Sequence, residues 1–181
     1  SLYVVSLDKL YRVSGTSITM LGTVGFGSRP QIVGNGIEVC VLIQPNAYVY
    51  TLSTGVLSQI TDVDFTSRGA SSVQFFDNFL TFTEPGSGRW YSSDLAAATA
   101  FNSLNFATAE GAPDNLQTHV VDHRQAFLLG TESSELWDNA GISGFPFIRA
   151  SNGFVEIGCL AKDSAVKVDQ SVMWLASDGT V

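Results

Sequence analysis

The chain has 181 residues, of which 45% are hydrophobic and only 14% are charged, and this excludes a disordered chain or a coiled coil because both need far more charge. Its formal net charge of −8 at pH 7, with nine Lys and Arg residues spread along the sequence, argues against a nucleic-acid-binding surface. Seventeen Gly residues and the lack of a long helix-forming stretch favour an all-β fold with many turns.

No run of the sequence approaches the roughly 20 apolar residues that a membrane helix needs, and its first residues lack the basic start of a signal peptide. We therefore expect no membrane segment. Because the sequence does not begin with Met, we also expect the chain to be a piece of something longer. Cys40 and Cys159 each lie in an apolar stretch, which is typical of buried reduced thiols, and a disulfide between them stays possible but unsupported.

Short apolar or alternating stretches follow one another along the chain, separated by turns rich in Gly, Asn, Asp and Pro. These stretches predict strands at residues 3–7, 10–13, 18–24, 31–33, 37–43, 48–51, 56–61, 72–76, 79–83, 89–92, 117–121, 126–129, 135–138, 145–149, 165–168 and 172–175. Residues 155–159 are an extra strand or a connection. The alanine-rich residues 95–100 predict one or two helical turns capped by Asp94, and residues 105–107 return to a sheet edge.

Residues 116–141 are the clearest copy of a unit that recurs along the chain. A very apolar second strand begins near Tyr3, Val39, Phe79, Ala126 and Val172, at steps of 36, 40, 47 and 46 residues. Aromatic residues of the third strands recur at similar steps, at Tyr11, Tyr48, Trp90 and Trp137. Steps of about 40 to 50 residues with four strands per unit predict a β-propeller, whose four-stranded antiparallel blades are covered by their neighbours on both faces.

Three blades are predicted to be complete, at residues 31–61, 72–106 and 117–149. Residues 1–24 form a partial blade that lacks an inner strand, and residues 164–181 form a partial blade that lacks outer strands. The two partial blades could together close a four-bladed ring, but the C-terminal piece carries a surplus second strand. We therefore expect a fragment of a larger propeller, whose open blade edges favour self-association.

The densest group of titratable residues lies within the unit at 116–141. It comprises His119, Asp122, His123, Glu132, Glu135 and Asp138. Residues four apart share one face of a strand, so His119 and His123 could form a metal pair or an acid/base site. The alternative is that residues 122–124 form a solvated turn, which would break the shared face. We favour the turn and predict no catalytic, cofactor-binding or metal-binding residue.

Three weaker motifs also have structural explanations. Asp62 and Asp64 resemble part of a calcium loop, but the Gly and the downstream Glu of that motif are missing. The Gly-rich stretches at 25–28 and 86–88 lack the Lys and the following helix of a phosphate loop. Trp90, Trp137 and Trp174 could stack on sugars, but their recurrence in the repeat favours packing between blades.

Several segments together resemble the packaged-DNA-stabilisation proteins of short-tailed bacteriophages. They are residues 105–114 (NFATAEGAPD), 116–141, 145–147 (FPF) and 156–162 (EIGCLAK), and the likeness runs from KLYRV at residue 9 to WLASDG ending at residue 179. The resemblance implies a structural head-completion or tail-hub protein that is longer than this chain and has no catalytic motif. Copies of it would assemble below the portal, retain the packaged genome and connect the portal adaptor to the tail needle and tail fibres.

The preferred hypothesis is therefore a virion protein, made in the bacterial cytoplasm, that stabilises packaged DNA at the portal vertex. Its expected partners are the portal-adaptor, tail-needle and tail-fibre proteins and further copies of itself, with no sequence-specific nucleic acid binding and no membrane. The alternative is a glycan-binding or glycan-cleaving propeller that uses the region of His119, Asp122 and Glu135, or a Trp.

Overall fold

A computed structural model describes residues 1–169 and 171–181 as a series of antiparallel sheets in chain order. Sheet 1 comprises β1 (Leu2–Ser6), β2 (Lys9–Ser14) and β3 (Ser17–Thr23), and sheet 2 comprises β4 (Gln31–Gly34), β5 (Glu38–Ile43), β6 (Asn46–Thr51) and β7 (Val56–Gln59). Sheet 3 comprises β8 (Ser72–Phe76), β9 (Phe79–Thr83), β10 (Arg89–Asp94) and β11 (Ala97–Thr108). Sheet 4 comprises β12 (Leu116–Asp122), β13 (Gln125–Gly130), β14 (Ser134–Asn139) and β15 (Phe147–Val155), and the C-terminal hairpin comprises β16 (Val166–Val168) and β17 (Ser171–Met173).

The first strands of successive sheets are neighbours. Strand β4 contacts β8, β8 contacts β12, and β12 contacts the C-terminal hairpin. Strand β3 contacts β7, the outer strand of sheet 2, so β1 stands at the position that β5 holds in sheet 2. The C-terminal hairpin follows sheet 4 along the chain, and β16 and β17 correspond in position to the first two strands of a four-stranded sheet.

Hydrophobic clusters lie between successive sheets. One joins sheets 1 and 2 around Leu10, Val41 and Tyr50, the next joins sheets 2 and 3, and a third joins sheets 3 and 4. Strand β5 shows why the second strands are so apolar. Val39, Val41 and Ile43 belong to the cluster shared with sheet 1, whereas Cys40 and Leu42 belong to the cluster shared with sheet 3. The all-β prediction and the four-stranded antiparallel unit are thus confirmed.

The predicted helical turns at residues 95–100 are wrong. Strand β10 ends at Asp94, and β11 runs from Ala97 to Thr108 after a tight turn in which Ala96 has a φ of +53°. The strand conformation buries Ala98 and Phe101 in the cluster between sheets 2 and 3. Packing therefore overrides the helix propensity of the alanines.

Other differences concern the last strand of sheet 4 and the connections between sheets. The sequence predicts this strand at residues 145–149, whereas it runs from Phe147 to Val155. Beyond it, residues 156–159 belong to no strand, and among the described residues they form a single bridge, between Cys159 and Ala176, so this stretch is a connection. The connection between β7 and β8 contains a short helix, α1 (Val63–Thr66), and a 3-10 helix spans Lys162–Ser164. Of the turn predicted at residues 169–170, Gln170 lies outside the described residues.

Within residues 1–169 and 171–181, no helix has both the length and the apolar character needed to cross a membrane.

Candidate functional site

His119 lies on β12 and is completely buried against sheet 3. The Thr81 hydroxyl donates to the carbonyl oxygen of Gln74 (3.1 Å), and it therefore accepts from the Nε2–H of His119 (3.0 Å). Nδ1 then carries no proton and accepts from the hydroxyl of Ser72 (2.6 Å), which in turn accepts from the hydroxyl of Thr83 (2.7 Å). This network fixes one neutral tautomer of His119 and joins sheet 4 to sheet 3.

Burial lowers the pKa of His119 to about 3. A neutral imidazole is thus retained at every pH near neutrality, and both of its nitrogens are occupied by hydroxyl groups of sheet 3. Because no part of the ring is exposed, a substrate cannot reach it. His119 is therefore a structural link between two sheets.

Asp122 and His123 lie at the end of β12, with different surroundings. His123 and Arg124 have φ values of +45° and +65° and form the two-residue turn of a hairpin, as predicted for this stretch. The carboxylate of Asp122 is only 5% exposed, and it contacts Nζ of Lys167 on β16 (2.6 Å) and Nδ1 of His123 (2.6 Å). The hydrogen bond from Lys167 contributes most to holding the pKa of Asp122 below its usual range. Turn chemistry therefore explains His123, whereas Asp122 anchors the C-terminal hairpin.

Glu135 lies on β14 with its carboxylate 2% exposed. One carboxylate oxygen accepts from the backbone N–H of Gly111 (2.6 Å) and from Arg149 (3.3 Å), and the other accepts from Nε1 of Trp137 (2.8 Å). A Cβ atom at Gly111 would collide with the ring of Phe154 and would lie 2.6 Å from the Glu135 carboxylate. Glu135 thus holds the loop that connects sheet 3 to sheet 4, and only glycine fits at the point of contact.

Asp114 holds the other end of the same loop. Its carboxylate accepts from the backbone N–H groups of Glu132 (2.7 Å) and Ser133 (2.9 Å), in the turn between β13 and β14. Gly130 faces this carboxylate so closely that a side chain there would collide with it. Neither Asp114 nor Gly111 is recognisable as an anchor from the sequence, although both lie in the segment that carries the family resemblance.

The titratable group predicted as a possible site is therefore dispersed. His119 faces sheet 3, Asp122 faces the C-terminal hairpin, and Glu135 faces the connecting loop. Glu132 is exposed, and Asp138 accepts from the side chain of Gln125 (2.9 Å). No three His, Cys, Asp or Glu residues within the described part of the chain are arranged to hold a metal ion.

Asp62 acts as a helix cap. Its Oδ1 accepts from the backbone N–H of Asp64 (2.8 Å) at the start of α1, and its Oδ2 accepts from the backbone N–H of Phe101 (3.2 Å) on β11. The two carboxylate oxygens thus serve the helix end and a neighbouring strand, and the resemblance to a calcium loop has a structural explanation.

The tryptophans pack between sheets or against the backbone. Trp90 is fully buried, with ring centroids 5.5 Å from Trp137, 5.1 Å from Phe145 and 5.0 Å from Phe147. Trp174 is half-buried, and its Nε1 donates to the carbonyl oxygen of Gly158 (3.1 Å). Trp90 and Trp137 therefore offer no exposed face for stacking on a sugar, which removes one basis of the glycan hypothesis.

A cleft of about 600 Å³ opens between sheets 3 and 4 at the end of the molecule where β8 turns into β9 and β12 turns into β13. We call this end the turn end. Asp77 accepts from the side chain of Asn139 (2.5 Å) and lies 3.7 Å from Arg124 in this cleft. Leu95 and Ile142 line the cleft and are 63% and 52% exposed. Among the described residues that line it, the cleft has one ion pair beside apolar side chains and no acid/base pair or nucleophile.

Comparison with known proteins identifies the family. A family model described as bacteriophage P22 Gp10, beta-propeller, matches residues 1–180. The chain belongs to this family. It is thus a bacteriophage stabilisation protein with a β-propeller fold, and a structural protein of the virion, which confirms the family and the fold class expected from the sequence.

Solved structures share the fold at low sequence identity. The computationally designed protein Ika8 aligns with a TM-score of 0.58 and 16% identity, over 98% of this chain and 55% of that one. Hsv2 of Kluyvelomyces marxianus aligns with a TM-score of 0.50 and 7% identity, over 94% of this chain and 57% of that one. The chain thus spans a little over half the length of both structures. No curated protein matches the chain.

Proposed function

We propose that this protein retains packaged DNA at the portal vertex of a short-tailed phage and links the portal adaptor to the tail needle and the tail fibres, without catalysing a reaction. The observation that carries this proposal is the match of the P22 Gp10 family model to residues 1–180.

The use of the chemically capable side chains supports a structural function. His119, Asp122 and Glu135 are the most buried members of the titratable group, and each has hydrogen-bond partners that fix a sheet, a hairpin or a loop. Buried polar networks of this kind rigidify a structure. A protein that must resist the pressure of packaged DNA benefits from links between its blades.

The charge of the chain supports a surface that repels DNA and does not bind it. The formal net charge is −8 at pH 7, with nine Lys and Arg residues against 17 Asp and Glu residues. Binding to DNA depends on cations that neutralise phosphates, and an acidic surface instead repels the duplex. A plug or conduit of this charge keeps DNA from adhering to its wall.

The turn end supports docking to other proteins. Ile37, Leu95 and Ile142 lie in turns of sheets 2, 3 and 4, respectively, and they are 65%, 63% and 52% exposed. Clefts at this end connect the turns of sheets 2 and 3 and those of sheets 3 and 4. Exposed apolar side chains beside clefts are typical of protein-binding surfaces. The turn end is our candidate surface for the adaptor, needle and fibre proteins.

The proposal is tested by electron microscopy of particles made without this protein and of particles made with variants of the turn end. We expect tails that lack the needle and fibres when the protein is missing. The double substitution Leu95→Asp and Ile142→Asp should impair tail assembly, whereas Leu104→Asp, at an exposed position of β11, should not. Complete tails in the absence of the protein would contradict the proposal.

A further inference from the structure

The chain contains two Asn-Gly pairs, Asn35–Gly36 and Asn152–Gly153, and the structure places them in different surroundings. Asn35 and Gly36 are exposed in the turn between β4 and β5, at the turn end of sheet 2. Asn152 is also exposed, but Gly153 is buried within β15. In an Asn-Gly pair, the side-chain amide can react with the backbone nitrogen of the glycine, because glycine has no side chain that shields this nitrogen. The surroundings therefore decide which pair reacts.

The side chain of Asn35 is held against the backbone of its own turn. Its Oδ1 accepts from the backbone N–H of Ile37 (2.9 Å) and of Glu38 (2.7 Å), and its backbone N–H donates to the carbonyl oxygen of Glu38 (3.2 Å). The bond to Ile37 forms an Asx turn, in which the side-chain carbonyl takes the place of the first carbonyl of a β-turn. This arrangement directs Cγ of Asn35 toward the backbone nitrogen of Gly36.

The two N–H groups on Oδ1 also activate the amide. Two backbone donors on one carbonyl oxygen form an oxyanion hole, which stabilises the negative charge that develops on the oxygen when a nucleophile attacks the carbonyl carbon. The nitrogen of Gly36 is available as this nucleophile, since its N–H donates to no described residue. Apart from its chain neighbours, no described atom lies within 4 Å of the position that a Cβ would take at Gly36. The peptide group thus has room to turn toward the side chain.

The pair Asn152–Gly153 lacks this freedom. A Cβ at Gly153 would lie 2.9 Å from the carbonyl oxygen of Leu136, on the neighbouring strand, and 3.0 Å from that of Ala150. Gly153 therefore packs directly against backbone atoms, and the peptide group that precedes it is fixed. We expect this pair to react slowly in the folded protein.

We propose that Asn35 is a site of self-modification, where the amide side chain converts to aspartate or isoaspartate through a cyclic succinimide formed with Gly36. The nitrogen of Gly36 loses its proton to solvent and bonds to Cγ of Asn35. The intermediate then expels Nδ2, which takes up protons from water and leaves as ammonia. Water opens the ring at Cγ to give aspartate, or at the backbone carbonyl carbon of Asn35 to give isoaspartate. The net reaction consumes water, releases ammonia and needs no oxidant or cofactor.

Either product changes the turn end. Each adds a negative charge beside Glu38, which lines the same cleft between sheets 2 and 3, and like charges repel each other. Isoaspartate also adds a backbone atom to the turn and thereby displaces Ile37, which is 65% exposed. The modification therefore weakens docking at the turn end as the protein ages. This consequence rests on the proposed function, whereas the reaction itself does not.

The reaction is tested on the purified protein, incubated at mildly alkaline pH in buffer and in urea. Peptide mapping by mass spectrometry measures the converted fraction at Asn35 and at Asn152, which is an internal control in the same sample. In buffer we expect conversion at Asn35 to be at least about tenfold faster than at Asn152, because a single oxyanion donor changes enzymatic rates by about 10²–10³. In urea the two rates should become similar, and the rate at Asn35 should not exceed its rate in buffer.

Two variants establish the origin of the product. Asn35→Ser should abolish most of the isoaspartate that an isoaspartate methyltransferase labels in the folded protein. It should keep nearly the wild-type stability in urea unfolding, since a serine hydroxyl also accepts hydrogen bonds in such turns. The matched control Asn152→Ser should leave the labelling unchanged.

The inference would be overturned if Asn35 reacted more slowly in buffer than in urea, because the turn would then protect the amide. Equal rates at Asn35 and Asn152 in the folded protein would overturn it as well. Normal tail assembly with Asn35→Asp, by contrast, would remove the consequence for docking and would concern the proposed function alone.

Discussion

The buried imidazole of His119 makes the stability of this protein depend on pH in a predictable way. Because burial lowers the pKa of His119 to about 3 in the folded chain, the folded state stays unprotonated there until the pH falls to about 3. In the unfolded chain, the same side chain binds a proton below its ordinary pKa of about 6.5. Between these two values the unfolded state binds more protons at this residue than the folded state, so the free energy of unfolding falls as the pH falls.

The size of this effect follows from the ordinary pKa. A pH of 5 is about 1.5 pH units below the pKa of histidine in the unfolded chain, and each pH unit corresponds to about 1.36 kcal/mol of unfolding free energy. We therefore expect His119 to remove about 2 kcal/mol of unfolding free energy between pH 8 and pH 5. The loss continues to grow below pH 5 and stops near the folded pKa of about 3.

The assay is urea unfolding at pH 8 and at pH 5, followed by tryptophan fluorescence. Trp90 is a suitable reporter because its ring centroid lies 6.4 Å from that of His119. His119→Gln should be less stable than the wild type at pH 8, since it disturbs the hydrogen bonds to Ser72 and Thr81, but it should lose about 2 kcal/mol less between the two pH values. The control is Phe26→Ala, at a side chain that is 76% exposed and does not titrate, and it should keep the wild-type loss.

The reasoning would be refuted if wild type and His119→Gln lost the same free energy between pH 8 and pH 5. Such a result would mean that His119 binds a proton in the folded state with nearly its ordinary pKa. The network of hydroxyl groups around a neutral ring would then be wrong.

Two further predictions concern packing between sheets 3 and 4. Gly111→Ala should destabilise the chain by about 1–3 kcal/mol, because the new methyl group meets the Phe154 ring and the Glu135 carboxylate, whereas Gly34→Ala, where the nearest atom is 3.4 Å away, should change stability by less than about 0.5 kcal/mol in urea unfolding. Trp90→Ala should cost about 3–5 kcal/mol, since Trp90 is fully buried among aromatic rings, and Phe26→Ala, at a residue 76% exposed, should cost almost nothing in thermal unfolding. Equal losses within either pair would contradict the packing described above.

The sequence predicts the unit of the fold well because coverage on both faces leaves a local pattern. Strands such as β5 read as continuously apolar, and the turns between strands carry residues suited to positive φ, such as Asp77 (φ +51°). The helix prediction for residues 95–100 is wrong because alanine favours a helix in isolation, and the burial of Phe101 between two sheets is not visible in the local sequence. In residues 95–100, packing against distant residues outweighs the local helix propensity and determines the strand conformation.

The roles of the titratable residues were less accessible from the sequence. His119 binds Ser72 and Thr81, which are 47 and 38 residues away in the sequence. Asp122 of sheet 4 binds Lys167 of the C-terminal hairpin. Such pairs depend on the stacking of blades and leave no local signal. The turn at His123 did leave one, because two residues of positive φ between paired strands are what a hairpin requires.

The function proposed for this protein is to stabilise packaged DNA in the virion. The most direct measurement is the amount of nuclease-protected phage DNA in particles assembled without the protein, compared with particles in which it is supplied in trans. We predict heads that package DNA and then release it, so that protected DNA falls sharply and is restored by complementation. Particles that protect as much DNA without the protein as with it would contradict the account.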